Sequence, residues 1–188
     1  MGKTSTDQIL DAAEARVRVS GYNGFSFRDI AADVGVKSAS IHHHFPTKAT
    51  LGAALARRYT DRFQASLDGT PAGWARVEAY REAFRTALRD ECRMCLCGVL
   101  GAESGGLPPE VTAEARRFFE LAVQHLADGL TGHVGNPRET ALGILARLEG
   151  AMILARTLGG IAAFDDATAN LLVDRDEART RMASGAAV

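Results

Sequence analysis

Between Phe27 and Phe45 the chain carries two short apolar stripes separated by one glycine, and few folds accommodate that arrangement. Phe27, Ile30, Ala31 and Val34 recur at i, i+3, i+4 and i+7, which is one face of an α-helix. Gly35 ends that face and supplies the positive φ of a tight turn. Ile41 and Phe45 restart the stripe four residues apart, and Pro46 stops it. Ser26 is placed to cap the first of these helices, with Asp29 near its positive end, and Ser38 to cap the second. A helix, a turn and a short second helix locked at a fixed angle form a helix-turn-helix, whose second helix enters the DNA major groove.

The rest of the chain also reads as helix. There is no sustained alternation of apolar and polar residues and no Asn-Gly hairpin signal, so the expected class is all-α. A first helix runs from about Ser5 to Ser20, with Ile9, Ala13 and Val17 on one face, and ends at Gly21. Thr47 is placed to cap a fourth helix through Leu51, Leu55, Tyr59 and Phe63. Longer helices are expected over about 72–90, 91–103, 108–132, 137–159 and 163–174, with Pro137 in a first turn behind an Asn136 cap. The charged tail after Arg175 is expected to fray.

Charge divides in the same sense as the motif. Residues 1–62 hold nine Lys/Arg against six Asp/Glu, and residues 63–188 hold thirteen against seventeen, within a net charge of -1. A mildly basic N-terminal part suits phosphates. No apolar run reaches the length of a membrane span and no signal peptide is apparent, so a cytoplasmic protein that does not engage membranes is expected. Three cysteines within six residues, Cys92, Cys95 and Cys97, do not form a secreted disulfide framework.

On the second helix, Ser38, Ala39, Ser40, His42 and His43 are short and polar enough to approach base edges, while Lys37 and Lys48 flank them where phosphates would lie. His42, His43 and His44 are consecutive, hence about 100° apart on a helix, and do not converge on one ion. No metal and no cofactor are expected. Nor does a Ser-His-Asp order, a carboxylate pair or a glycine-rich phosphate loop stand out, so no catalytic residue is assigned and an enzyme is not expected.

The stretch Gly21-Tyr22-Asn23-Gly24-Phe25-Ser26-Phe27-Arg28-Asp29-Ile30-Ala31, then Val34-Gly35-Val36, then His44-Phe45-Pro46-Thr47-Lys48 and Leu51, resembles without gaps the DNA-binding signature of the TetR/AcrR family of repressors. The stretch Leu148–Arg156 resembles the family less specifically. The resemblance implies a three-helix DNA-binding domain over residues 1–50 and a helical effector-binding and dimerisation domain over 51–188. It implies a homodimer on a near-palindromic double-stranded operator, released when a small-molecule effector tilts the fourth helix. Carried over by position, Lys48 binds a phosphate, Thr47 caps the fourth helix beside one, and Ser38, Ala39, Ser40, His42 and His43 face the groove, with Arg28 and Lys37 joining the interface. The family usually has tyrosine where this chain has His42.

Effector contacts are expected among the middle helices. Trp74, Met94, Leu100, Phe118 and Leu121 would be apolar walls, Cys95 would lie with them, and Gln124 and His125 would orient the ligand. The cysteine cluster has a bland reading as buried core, and a sharper one as a sensor of oxidants or electrophiles in which Arg93 lowers a thiol pKa. A cysteine-dependent enzyme is the remaining alternative, although Glu91 is the only nearby base. For the dimer interface, Gly143, Ala146 and Gly150 form a small-residue face, and Phe164, Ala167 and Leu171 repeat that spacing on the last helix, so that two helices per subunit make a four-helix bundle.

Overall fold

The structure, a computed structural model, describes residues 5–91 and 93–171. Among them there are helices and turns and no strand. The helices are α1 Ser5–Ser20, α2 Phe27–Val34, α3 Ser38–His44, α4 Lys48–Ser66, α5 Trp74–Glu91, α6 Leu96–Ala102, α7 Pro109–Leu130, α8 Pro137–Leu158 and α9 Ala162–Thr168. None is long and apolar enough to cross a membrane. By internal contacts the chain forms two compact units, one from residues 1–63 with 93–119, the other from 64–92 with 120–188.

The first unit is built around the predicted stripes. Ile9, Ala13 and Val17 of α1, Ile30 and Ala31 of α2, Ile41 and Phe45 around α3, and Leu51 and Leu55 of α4 are all buried. Removing apolar area of this kind from water contributes roughly 25 cal/mol per Å². α6 packs against α1 and adds Leu96, Cys97 and Leu100. One charged cluster is also enclosed. Glu14 is buried and meets Arg18 at 3.3 Å, Arg58 at 3.5 Å and Arg62. A buried carboxylate needs such partners, because an unpaired charge there would cost several kcal/mol (about 3–5 on losing a partner).

Two caps differ from expectation. Lys37, not Ser38, is the N-cap of α3, and it caps without its side chain. α6 starts at Leu96 rather than near Glu91. The carbonyl of Met94 is taken by the Arg18 guanidinium at 2.7 Å, and the Cys95 thiol accepts the N–H of Gly98 at 3.3 Å, so the cap forms at Cys95 and the helix begins after it. The other signals match. Ser26 and Asp29 form a reciprocal capping box, Gly35 closes α2 at φ 77°, Thr47 and Thr50 cap α4, and Asn136 accepts from the N–H of Glu139.

The second unit packs α8 against α5 and α9. Arg85 grips Asp165 of α9 through two parallel bonds of 2.7 and 2.9 Å, and Arg81 donates to Thr168 at 3.0 Å. The Arg85 guanidinium holds the Asp165 carboxyl below its ordinary pKa. The last helix ends at Thr168, followed by a single 3-10 turn over Ala169–Leu171; the tail expected to fray lies outside the described residues.

Candidate nucleic-acid interface

The capping box fixes where α2 begins, and the geometry of the interface follows from it. Asp29 accepts the Ser26 N–H at 2.8 Å and its hydroxyl at 2.6 Å, which holds the Asp29 carboxyl below its ordinary pKa. Six residues after Asp29, Gly35 reverses the chain, with the N–H of Val36 returning to the Ala31 carbonyl at 2.9 Å. α3 then lies against α2, its orientation set by the fully buried Ile41 and by Phe45. Ala39, Ser40, His42 and His43 are exposed, as are Arg28, Lys37 and Thr47, while Ser38 and Lys48 are half-buried.

The three consecutive histidines take three different positions. His42 leans sideways onto Phe27, ring centroids 4.6 Å apart and edge to face. His44 leans the other way, where Nδ1 lies 3.0 Å from the Thr6 hydroxyl. His43 lies between them and lines a shallow groove of about 420 Å³ with Ile9, Val34, Val36, Ala39, Ser40 and His44. Neither Thr6 nor the half-exposed Val36 was expected at this surface. Thr6 is brought there by a contact 38 residues away in sequence, which no local pattern signals.

Lys48 has a second engagement. Its ammonium donates to the Phe25 carbonyl at 2.7 Å and lies 4.7 and 4.4 Å from the ring centres of Tyr22 and Phe25. Burial there lowers its pKa, against the pull of the Glu103 and Asp29 carboxylates. The turn it braces is held from behind as well. Glu103 accepts the Tyr22 N–H at 2.9 Å.

Residues 9–55 match the family described as bacterial regulatory proteins, tetR family. A TetR transcriptional regulator of known structure from Legionella pneumophila is 30% identical, covering 96% of this chain and 98% of its own, with a TM-score of 0.83. A TetR-family transcriptional regulator from Agrobacterium tumefaciens is 31% identical over 90% of this chain and 96% of its own, with a TM-score of 0.85. The chain belongs to the TetR family. More distant structures, such as the reduced form of NemR from E. coli at 18% identity, 88% and 94% coverage and a TM-score of 0.72, share the fold. No curated protein matches by sequence. As a TetR-family regulator the chain has the family's DNA-binding helix-turn-helix at its N-terminus, in α2 and α3.

The residues expected to contact an effector divide between the two units of this TetR-family chain. Met94, Cys95, Leu100 and Phe118 are buried in the first. Phe118 packs against Tyr59 and Phe63, and the Tyr59 phenol, beside Cys95, is pushed well above its ordinary pKa by burial. Cys95 and Cys97 are both free thiols and both buried; Cys92 lies outside the described residues. In the second unit Trp74 and His125 are half-buried, and His125 Nδ1 lies 3.1 Å from the hydroxyl of the fully buried Tyr80. Burial and the nearby Arg76 lower the His125 pKa. Leu121 and Gln124 are exposed, and Gln124 is bonded to Asp128 at 2.7 Å. The buried stripe of α7 runs through Ala115, Phe118, Ala122 and Leu126, and at about 100° per residue positions 121 and 124 fall off it.

The expected dimer residues also divide. Gly143 and Ala146 are exposed and Gly150 is half-exposed, and a Cβ at either glycine would meet nothing within 4 Å. Leu142, Ile153, Leu154 and Leu158 extend this open face. Phe164 and Leu171, in contrast, are buried within their own unit, and Ala167 is partly accessible. α9 turns its large apolar side chains onto the rest of the second unit, and Arg81 and Arg85 secure it there.

Proposed function

We propose that this TetR-family regulator is a repressor that binds a near-palindromic operator as a homodimer and leaves it when a small-molecule effector binds. Residues 1–50 act as the reading head, and residues 51–188 carry the effector site and the dimer contact. The observation that carries the proposal is the outer face of α3, where Ala39, Ser40 and His43 stand exposed on a helix whose inner face is fully buried. Short side chains on a rigidly held helix allow close approach to base edges. Arg28, Lys37, Thr47 and Lys48 supply phosphate contacts around it, Lys48 through the two N–H donors that the Phe25 carbonyl leaves over.

Dimerisation rests on the open face of α8. An apolar helix face this extended, with small residues at its centre, is suited to meet its own copy across a two-fold axis. Two heads related by that axis read half-sites about one helical turn of DNA apart or a multiple of it. Effector contacts are drawn from Met94, Cys95, Leu100 and Phe118 of the first unit. Burial of Cys95 and Cys97 favours packing over thiol sensing as their role.

Binding selection from random duplex DNA tests the proposal. A preferred sequence with two-fold symmetry, bound with a steep salt dependence and released by at least one compound in a small-molecule screen, is expected. Recovery of no preferred sequence would overturn it.

A further inference from the structure

The outer face of α3 singles out one histidine. Ile41 and Phe45 fix the inward direction of the helix, and at about 100° per residue the opposite direction runs through His43, with Ala39 and Ser40 one turn before it. His42 and His44 stand to either side and are occupied, the first against the Phe27 ring and the second with the Thr6 hydroxyl. Among the described residues the His43 ring makes no hydrogen bond, and its one aromatic contact is an edge-on approach to His44 at 5.7 Å. Of its neighbours in the groove, Val36, Ala39 and Ser40 are short, which leaves the ring projecting on the outer face.

We propose that His43, rather than His42, is the base-reading residue of this regulator, and that it reads guanine. The inference rests on the DNA-binding reading above and adds which side chain carries specificity and for which base. An imidazole N–H is a hydrogen-bond donor on a short arm. In the major groove guanine presents two adjacent acceptors, N7 and O6, whereas adenine pairs its N7 with a donor at N6, and cytosine presents a donor. A single donor finds two adjacent acceptors on guanine against one on adenine (N7) or thymine (O4), and therefore favours guanine. His42, set edge to face against Phe27 at the side of α3, adds affinity without choosing a base.

The test uses the full-length protein and the half-site it selects from random DNA. Each guanine of that site is replaced in turn by 7-deazaguanine, which lacks the N7 acceptor. One position is expected to lose affinity about fivefold or more in the unmodified protein and to lose nothing further in His43→Ala. His43→Asn is expected to shift that position from guanine toward adenine, because an amide matches the N6/N7 pair. His42→Ala is expected to weaken binding with the base preference intact. The exposed site makes folding of each variant a simple check by circular dichroism. Indifference to every 7-deazaguanine, or a sensitivity that survives in His43→Ala, would overturn the assignment while leaving sequence-specific binding in place. Failure to recover any preferred site would overturn the underlying reading and the assignment with it.

Discussion

Gly21→Ala should destabilise the fold through two separable effects. Gly21 has φ 76° and ψ 176°, a conformation that side chains with a Cβ rarely adopt. Forcing alanine there costs about 1–3 kcal/mol. A Cβ at Gly21 would also stand 1.9 Å from Glu103 Oε1, so the carboxylate must move. Moving it sacrifices the bond from the Tyr22 N–H to Glu103 Oε2, worth about 1.5 kcal/mol at this half-buried position. The two together give about 2.5–4.5 kcal/mol. Glu103→Ala alone should cost about 1.5 kcal/mol. The double variant should then fall short of the sum by that same amount, since the displaced bond is lost only once. Urea unfolding followed by circular dichroism, at constant m, measures all three. Additivity within about 0.5 kcal/mol would refute the contact between Glu103 and the turn.

Three further outcomes are expected. A Cβ at Gly150 meets nothing within 4 Å in its own chain, so a Gly150→Leu protomer should stay folded while the dimer weakens by about 1–3 kcal/mol; sedimentation showing a full dimer at low concentration would remove α8 from the interface. The folded-state pKa of His125 is depressed, so the unfolded chain takes up its proton first and stability should fall as pH drops below the ordinary histidine value of 6.5; His125→Gln should flatten the denaturation midpoint across that range, and an unchanged profile would remove the histidine as its source. Lys48→Ala should cost about 1–2 kcal/mol of stability through the Phe25 carbonyl and the two rings, and should lower the slope of log K against log salt by about 0.9 if the ammonium also meets a phosphate; lost stability with an unchanged slope would confine Lys48 to the fold.

What was legible in the sequence was what is local. The α2–turn–α3 segment depends on a capping box, a left-handed glycine and a proline, all within twenty residues, and each acts on its immediate neighbours. The same holds for the Asn136 cap and for the buried stripes of α1 and α2. What was not legible depends on which of two acceptable faces turns inward. α8 carries apolar residues all round, and sequence spacing could identify Gly143, Ala146 and Gly150 as one face. Over α9 and the 3-10 turn after it the same spacing describes Phe164 and Leu171, which pack against the rest of the second unit. Leu121 and Gln124 are exposed for a related reason, because α7 has a continuous buried stripe that passes them by. The start of α6 was hidden by a different cause. The carbonyl of Met94 is committed to Arg18, 76 residues earlier, and no helical propensity near the cysteines reveals that.

The long-range bonds that escaped sequence reading converge on one place. Arg18, in the last turn of α1, holds the carbonyl just before α6, and Glu103, just after α6, holds the N–H of Tyr22 just after α1. α6 is thus fastened at both ends to the end of α1, from which the chain leads into the Ser26 cap. Lys48 secures the same turn from the start of α4 through the Phe25 carbonyl. A bond of this kind has little slack, since the donor–acceptor distance tolerates only a few tenths of an ångström before the interaction weakens. A shift of α6 must therefore either break one of its two fastenings or carry the turn ahead of α2 with it. Buried Cys95 and Cys97 lie in the same short segment, with the Cys95 thiol forming its helix cap. The reading helix is consequently held in position by residues 93–106 as well as by its own hydrophobic stripe, and the angle it presents to DNA is a property of the whole first unit rather than of the fifty residues that carry the motif.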